Sequence, residues 1–523
     1  MSAENLKYPV GIQDFAKIRE DKFIYVDKTD LVYELVNKIN NVFLSRPRRF
    51  GKSLLLSTIR YYFEGRKDLF EGLKIMDLEK EWKKYPVIHL QLSSFQKDKK
   101  DSLFEVVDQQ LRFWEDSYGL KKQTSDFSAR FRDLIINIKK LTDERVVILI
   151  DEYDSPLINT IEQPETHQVN RGILKSIYTN LKDLDEYIRF AMLTGITRFG
   201  KMSVFSSLNN LYDITLDNNF AAICGITHKE VTEYFPQGLL ELSVRNNWSE
   251  EEGIIELKRH YDGYHFAAYS PDIYNPFSIL NAFSKKEIEN YWFSTGTPSF
   301  LVERLKKEDT DLSEFLNQKV QIPTITAADS TYNSTVALLF QTGYLTIKSY
   351  DSNRKRYTLG IPNEEVKEGL NRLFLKDFLY PHNETGDAWI NRLTDCIETG
   401  KPDYFLENLR SFFSGVPFDL SKGNKEVYFH NAFYILCNLI GLYVKAEYHT
   451  SVGSIDIVME TKDYIYVIEL KLDKSAQEAL NQIENKEYAL PWKDDGRKVF
   501  KIGISFSSET RNIAEWEIEE EYK

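Results

Sequence analysis

The order of apolar and polar residues over about the first 235 positions is typical of an α/β domain. Short continuous apolar runs, which are typical of buried parallel strands, alternate with segments of helical periodicity. The predicted strands are Val42–Leu44, Val87–Leu92, Val146–Ile150 and Phe190–Leu193, and two of the predicted helices are Phe127–Leu141 and Gly172–Leu181. This alternation predicts a mostly parallel sheet covered by helices.

The pattern becomes mostly helical from 236 to 420. One exception is Leu338–Pro362, which predicts a helix, a strand, a polar turn and a strand. A winged-helix module has this order, and so does a plain hairpin. We therefore divide the chain into an α/β domain over 1–235, a helical and winged-helix-like region over 236–420, and a third domain over 421–523.

The third domain has a mixed α/β pattern. Its predicted elements in chain order are a helix at Glu426–Leu442, strands at Ser454–Glu460 and Tyr464–Leu472, a helix at Ser475–Tyr488 and a strand at Lys498–Phe506. The acidic end of the chain, EWEIEEEYK, is interpreted as a solvated helix end.

Composition narrows the class of protein. The 523 residues include 67 Lys and Arg against 80 Asp and Glu, a net charge of −13, which excludes a uniformly basic nucleic-acid-binding surface but not a local basic groove. Cys224, Cys396 and Cys437 stand far apart, which argues against a disulfide scaffold and a thiolate zinc site. The longest mostly apolar run, Ala432 to Val444, is too short to span a bilayer, and no secretory signal is evident. These features predict a cytoplasmic protein with no membrane partner.

A first candidate site follows the first predicted strand. The segment NVFLSRPRRFGKSLLLSTIRYYF places an apolar strand, a loop and a helix in the order that a phosphate-binding loop requires. Lys52 would neutralise the β and γ phosphates of ATP, the Ser53 hydroxyl would bind Mg²⁺, and Arg49 and Gly51 belong to the same nucleotide-binding loop. The usual first glycine of this motif is Arg46 here.

Acidic residues at the end of the buried strand RVVILIDEYD supply the second half of this site. Asp151 would hold Mg²⁺ and Glu152 would polarise the attacking water. The alternative is that the two acids only cap the next helix.

A third strand ends at Thr194, which could sense the γ-phosphate or simply cap the strand. Arg198 could reach a nucleotide in cis or in trans, the latter requiring a homo-oligomer, or could be an exposed loop arginine.

A second candidate site combines Asp456 with Glu469 and Lys471, thirteen and fifteen residues later. Strand alternation puts Glu469 and Lys471 on one face, and Asp456 on the neighbouring strand can reach that face. Two carboxylates suit Mg²⁺, a hard cation that prefers oxygen ligands, and the lysine could orient a water or offset phosphate charge. The alternative is a surface pair on an edge strand. Helix residues Glu426 and Gln482 could complete the site. Alternatively, Glu426 could only supply negative charge at a helix N-terminus, and Gln482 could lie on a solvated face.

An ordered set of motifs extends over nearly the whole chain. They are YPVGIQDFAKIREDKFIYVDKT, RPRRFGKSLLLSTIRYYF, VVILIDEYDSPL, LTGITRFGKMSVFSSLNNL, DGYHF, YNPFSIL, YWFSTGTPSFLVERL, and YFHNAFYILCNLIGLYVKAEYHTSVGSIDIVM followed by YVIELKL and AQEALNQIENKEYAL. With these motifs the chain resembles bacterial AAA-ATPase-like proteins that carry a C-terminal PD-(D/E)XK nuclease domain.

The resemblance implies a P-loop NTPase domain of the AAA/STAND kind and a C-terminal α/β domain of the restriction-endonuclease type. It matches Lys52 and Ser53 to Walker A, and Asp151 and Glu152 to Walker B. In the C-terminal domain it matches Asp456, Glu469 and Lys471 to the D…ExK core and Gln482 to the helix glutamine. The implied cofactors are ATP and Mg²⁺.

Three functional hypotheses follow. The leading one is an ATP-controlled, Mg²⁺-dependent nuclease that acts on nucleic acid, with DNA as the favoured substrate and defence against invading DNA as a role. The second is a nucleotide-driven switch whose nuclease-like domain only binds. The third is a DNA-binding regulator that uses the basic turn Arg354, Lys355 and Arg356, which could also be a solvated hairpin tip.

Overall fold

The computed structural model describes residues 7–93, 102–121, 124–160, 163–198, 211–293, 319–321, 335–370, 386–414, 444–450, 453–493, 495–510 and 512–521. They form two compact units. The first contains the described residues up to 293 together with 319–321 and 335–366, and the second contains those from 367 onward. The described residues between 236 and 366 therefore fall in the first unit, and residues 367–370 and 386–414 of the predicted middle region fall in the second.

The first unit is built on a parallel sheet whose central strands are largely buried. The strands are β1 (Asn41–Ser45), β2 (Val87–Gln91), β3 (Val146–Asp151), β4 (Ile188–Gly195) and β5 (Tyr212–Asp213). They pair in the order β2-β3-β4-β1-β5, and every pairing is parallel. The predicted α/β class is confirmed, and the first four strands lie where the apolar runs placed them. In this order β3 and β4 are neighbours, so the residues at their carboxyl ends meet.

Helices fill the connections of the first unit. They are α1 (Phe15–Glu20), α2 (Thr29–Lys38), α3 (Lys52–Phe63), α4 (Ile75–Leu78), α5 (Ser102–Ser117), α6 (Phe127–Thr142), α7 (Ser155–Ile158) and α8 (Pro164–Asp183), followed by α9 (His228–Tyr234), α10 (Pro236–Asn246), α11 (Glu250–Tyr261), α12 (Pro276–Lys285) and α13 (Thr335–Thr342). Local signals start several of them. Asp126 accepts a hydrogen bond from the Ala129 amide at the start of α6, and Ser249 with Glu252 forms a capping box on α11.

Two small sheets complete the first unit. Strands β6 (Ile226–Thr227) and β7 (Ile273–Tyr274) form an antiparallel pair. Strands β8 (Lys319–Gln321), β9 (Thr346–Asp351) and β10 (Arg356–Gly360) form an antiparallel sheet in the order β8-β10-β9. The predicted order of helix, strand, turn and strand over 338–362 is confirmed by α13, β9 and β10.

The second unit is a five-stranded sheet with helices on both faces. Its strands are β11 (Val444–Thr450), β12 (Gly453–Glu460), β13 (Tyr464–Leu472), β14 (Lys498–Ser507) and β15 (Asn512–Glu521), paired in that order, and its helices are α14 (Gly386–Glu398), α15 (Pro402–Ser414) and α16 (Ala476–Asn485). The β13–β14 pairing is parallel and the others are antiparallel. Residues of α14 and α15 pack on one face, and residues of α16 pack on the opposite face.

The prediction of a helix at the acidic end of the chain is wrong, because this segment is the edge strand β15. Trp516 and Ile518 pair with Ile504 and Ile502 of β14 and pack against the core, while Glu517 between them points to the other face. A charged edge strand also discourages pairing with other chains. The predicted helix at 426–442 lies outside the described residues. None of the helices within the described ranges is long and apolar enough to cross a membrane.

Candidate functional site

The loop between β1 and α3 presents backbone amides at the start of a helix. Gly51 caps α3 with a φ of 89°, a left-handed conformation that glycine adopts without strain. The first turn of α3 therefore directs its free N–H groups and its positive dipole end toward the loop, as an anion-binding site requires. Ser53 is half-buried in this turn. The geometry suits the phosphate-binding role predicted for Gly51 and Ser53.

The side chain of Lys52 is buried beneath this loop. Its ammonium donates to the carbonyl oxygens of Arg46 and Pro47, each at 3.0 Å. Burial lowers the pKa of Lys52, and the nearby carboxylates of Asp151 and Glu152 oppose this shift. The lysine is thus held inside the loop, with acidic groups close by, where a phosphate group would compete for it.

Arg46, which replaces the usual first glycine of the loop, is a buried anchor. Its guanidinium donates to the carbonyl oxygens of Ser45 at 2.9 Å, Thr215 at 2.8 Å and Ala221 at 3.4 Å. It also stacks on the Phe266 ring, with 4.2 Å between the guanidinium carbon and the ring centroid. The loop therefore gains side-chain hydrogen bonds where other P-loops have a flexible glycine. The sequence showed the substitution but not this role.

Arg49 lies on the outer side of the same loop. It is exposed, has a φ of 67°, and places its guanidinium 4.5 Å from the centroid of the Phe277 ring at the start of α12. Its predicted contact with the nucleotide stays a prediction.

The acidic residues after β3 meet the polar end of β4. Asp151 is buried, and its Oδ1 accepts a hydrogen bond of 2.6 Å from the hydroxyl of Thr194 and one of 3.0 Å from the amide of Glu152. Thr194 therefore does more than end a strand, since it orients the carboxylate of Asp151. Glu152 is half-buried with a φ of 52°, and burial, followed by the neighbouring Asp151, raises its pKa.

Asp154 is a further residue of this motif to which the sequence analysis assigned no role. It is buried, and its Oδ2 accepts from the amide of Ile196 at 2.9 Å, the amide of Thr197 at 2.6 Å and the hydroxyl of Thr197 at 2.7 Å. This carboxylate ties the loop after β4 to the loop after β3. The sequence signal that could have identified Asp154 is the last residue of DEYD, an acid about one turn beyond Asp151 and Glu152.

Arg198 is not an exposed loop arginine. Its guanidinium pairs with Asp213 and is only 15% exposed, and its amide donates to Gln341 Oε1 at 2.9 Å. The arginine is engaged within its own unit, and its predicted contact with a nucleotide stays a prediction.

An apolar cavity of about 100 Å³ opens beside Gly51. The segment before α2, the start of α3 and the region around β6 and α12 line it with Ile24, Tyr25, Val26, Leu54, Ile226 and Leu280, among others. Lys28 also lies in this wall and pairs with Glu230 at 2.6 Å. The motif YPVGIQDFAKIREDKFIYVDKT has no role that its sequence alone reveals, and the cavity shows that part of this segment adjoins the phosphate-binding loop.

The second candidate site lies on the face of β13 that α16 covers. Glu469 is 2% exposed, and its Oε1 accepts from Lys471 Nζ at 2.9 Å and from the side-chain amide of Gln482. Asp456, on β12, accepts a hydrogen bond from the Leu470 amide at 2.8 Å. Burial, followed by the charge of Asp456, raises the pKa of Glu469 to about 7. The structure thus brings four of the predicted residues together. Glu426 lies outside the described residues.

A glycine lets α16 approach closely enough to make this contact. A Cβ on Gly503, which pairs with Glu469 across β13 and β14, would clash with the Ala476 carbonyl oxygen and lie 2.7 Å from the Leu480 amide nitrogen. Close packing of helix on sheet brings Gln482 to Glu469. Tyr488, six residues further on, is buried in the core beneath α16.

The donor set suits a hard divalent cation. The second oxygen of Glu469, Oε2, is buried without a hydrogen-bond partner among the described residues, and Asp456 adds a second carboxylate. A cation would satisfy that oxygen and favour the ionised acid. The described residues contain no cluster of three or more His, Cys, Asp or Glu side chains placed to hold a metal ion. Asp456 and Glu469 supply two carboxylates as candidate ligands.

Two family models match this chain, one in each unit. The family model "Predicted AAA-ATPase" matches residues 9–205, and that of the PD-(D/E)XK nuclease superfamily matches 424–516. The "Uncharacterized protein in vnfD 5'region" of Azotobacter chroococcum mcd 1 is 35% identical over 526 residues, which cover 98% of this chain and 99% of that protein.

Among solved structures, the Aeropyrum pernix ORC2 protein in its ADPNP and ADP complexes aligns with 67% of this chain and 93% of its own, at 10% identity and a TM-score of 0.27, too low to support an argument. The two matched domains both indicate hydrolase activity. The chain belongs to the family of AAA-ATPase-like proteins with a C-terminal PD-(D/E)XK nuclease domain.

Proposed function

We propose that this protein is a Mg²⁺-dependent nuclease whose cleavage of DNA is controlled by ATP. The buried carboxylate of Glu469 carries the proposal. It is held by Lys471 and Gln482, with its second oxygen unpartnered among the described residues. Burying a carboxylate in this way is costly unless a partner or a ligand compensates. A structural role alone does not account for an acid, a lysine and a glutamine that converge on the covered face of a central strand.

The residues of the second unit would divide the work of phosphodiester hydrolysis. Asp456 and Glu469 would hold Mg²⁺, which supplies a Lewis acid and a more acidic bound water when present. The ammonium of Lys471, 2.9 Å from Glu469 and 21% exposed, can orient a water or offset charge on the phosphate. Gln482 would keep the carboxylate of Glu469 in position.

The first unit would bind and hydrolyse ATP. Lys52 and the amides at the start of α3 would take the β and γ phosphates, and Ser53 and Asp151 would hold Mg²⁺. Thr194 orients Asp151 by its 2.6 Å hydrogen bond, and Glu152 would polarise the attacking water. The apolar cavity beside Gly51 suits the adenine base, because it is lined by aliphatic side chains and lies next to the phosphate loop.

Cleavage assays on the full-length protein test the proposal. Linear and circular DNA, in single- and double-stranded form, would be incubated with Mg²⁺ or Mn²⁺, with and without ATP. We expect Lys471→Ala and Glu469→Gln to abolish cleavage and Lys52→Ala to abolish its dependence on ATP. Lys474→Ala, at an exposed residue three positions from Lys471, is the matched control and should cleave like the wild type.

Two outcomes would contradict the proposal. Cleavage by Lys471→Ala and Glu469→Gln at the wild-type rate would remove this site from the reaction. No cleavage in any lane, together with ATP binding that requires Lys52, would favour a nucleotide-driven switch whose second unit only binds. A role against invading DNA is part of the same proposal, and phage or plasmid challenge of cells that carry wild-type protein or Lys471→Ala would test it.

A further inference from the structure

The β9–β10 hairpin carries an ordered, solvent-exposed basic tip. The side chain of Asp351 accepts from the amides of Asn353 at 3.0 Å and Arg354 at 3.1 Å, and Lys355 takes a left-handed φ of 51°. These local hydrogen bonds set the course of the turn. The tip is thus a defined structural feature of the first unit.

The charge of this hairpin opposes that of the whole chain. Residues 346–360 contain four Lys and Arg and one acid, in a protein of net charge −13. Arg354, Lys355 and Arg356 are exposed, and within the described ranges none of them forms an ion pair. Unpaired, closely spaced cations are suited to bind phosphate groups.

An exposed aromatic ring adjoins this hairpin. Tyr269 is 72% exposed and stands edge-on to Tyr350, with 6.0 Å between ring centroids, and Tyr350 packs on Tyr357 at 4.6 Å. The Tyr269 amide donates to Asn218 Oδ1 at 2.9 Å, which holds its backbone in place. The ring is therefore supported from one side and open to solvent.

We propose that Tyr269 and the hairpin tip form a binding surface for single-stranded nucleic acid. A base would stack on Tyr269 while Arg354 and Lys355 contact the phosphates on either side, a combination used by proteins that bind single strands. A duplex offers phosphates but no free base face, so the aromatic contact favours a single strand. The inference rests on the proposed function only in taking nucleic acid as the substrate, and binding can be measured without cleavage.

The test is fluorescence anisotropy of the full-length protein, in EDTA and without nucleotide, with labelled oligo(dT), oligo(rU) and a DNA duplex. Stacking is worth about 1–3 kcal/mol per base, so Tyr269→Ala should weaken single-strand binding about 5- to 150-fold, whereas Tyr269→Phe should retain it. The double change Arg354→Ala and Lys355→Ala should lower the slope of log affinity against log salt by about 1.4, since each phosphate contact contributes about 0.7. Tyr269→Ala should leave this slope unchanged.

Matched controls lie elsewhere on the first unit. Phe113→Ala removes another exposed aromatic ring, and Lys140→Ala removes another exposed cation that forms no ion pair among the described residues. Both should bind like the wild type. If Tyr269→Ala lowers the affinity for oligo(dT) more than the affinity for oligo(rU), the bound strand is DNA. The reverse order would identify RNA.

The inference fails if Tyr269→Ala and the double variant bind oligo(dT) and oligo(rU) like the wild type. It also fails if the duplex is as sensitive to Tyr269→Ala as the single strands, or if the surface binds only an acidic peptide such as poly-glutamate. If the wild-type protein cleaves nucleic acid and these variants bind single strands normally, the proposed binding surface is wrong and the nuclease proposal stands. If single-strand binding depends on Tyr269 but no cleavage occurs with Mg²⁺ or Mn²⁺, the nuclease proposal is wrong and the proposed binding surface stands.

Discussion

Replacing Arg46 by Met should destabilise the first unit, although the phosphate-binding motif of other P-loop proteins has no arginine at this position. Met preserves much of the apolar stem that packs near Phe266 but removes every donor. The carbonyl oxygens of Ser45 and Thr215, which accept from the guanidinium at 2.9 and 2.8 Å, would then be buried without that partner.

The magnitude follows from these contacts. A buried acceptor left unsatisfied costs about 1–3 kcal/mol, so two of them cost about 2–6 kcal/mol. Removing a buried charge offsets part of this cost, because burial disfavours the guanidinium and lowers the pKa of Arg46 to about 10. We therefore expect Arg46→Met to lose about 2–4 kcal/mol of unfolding free energy, and Arg46→Gly also to destabilise the unit.

Equilibrium urea unfolding would measure the change. The two units need not unfold together, so the transition of the first unit would be identified as the one that ATP shifts to higher urea. Arg48→Met, an exposed arginine two residues away in the same loop, is the control and should change stability by less than about 0.5 kcal/mol. An Arg46→Met protein within about 1 kcal/mol of the wild type would refute the anchoring role.

Three other changes test the two sites. Gly503→Ala should push α16 away from β14 and lower the cleavage rate at least about tenfold while ATP turnover is retained. An unchanged cleavage rate would show that the close packing of α16 on β14 is not needed for cleavage. Thr194→Val should slow ATP turnover about tenfold by removing the hydrogen bond to Asp151, whereas Thr194→Ser should keep that bond and the wild-type rate. Equal rates in both variants would show that Thr194 does not orient Asp151 for ATP hydrolysis. Because the pKa of Glu469 is raised from 4.5 to about 7, the wild-type protein should lose stability relative to Glu469→Gln as pH rises from about 4.5 to 7 in EDTA, and a difference independent of pH would contradict the burial of this acid.

Local patterns predicted much of the fold. Continuous apolar runs identified β1 to β4, because strands buried on both faces leave few polar positions. Alternation within YVIELKL correctly put Glu469 and Lys471 on one face of β13. The end of the chain was mispredicted because its charge was weighed above its alternation, in which Trp516 and Ile518 share a face and pair with β14.

Neighbours distant in sequence decided the rest. The sequence offered Arg198 as an exposed or nucleotide-contacting arginine, and only the fold brings Asp213 and Gln341 to it. Likewise, nothing local shows that the carbonyl oxygen of Thr215, 169 residues from Arg46, accepts from that guanidinium.

Residue types and their local spacing were enough to identify the residues that could carry chemistry: a lysine and serine after a glycine at the start of a helix, an acid at the end of a buried strand, and an acid and lysine alternating within another strand. These depend on residue type and on spacing within one element. Which of these residues meet is set by the fold. Thr194 reaches Asp151 because β3 and β4 are adjacent, and Gln482 reaches Glu469 because Gly503 admits α16. Such contacts depend on strand order and helix packing, which no single segment encodes.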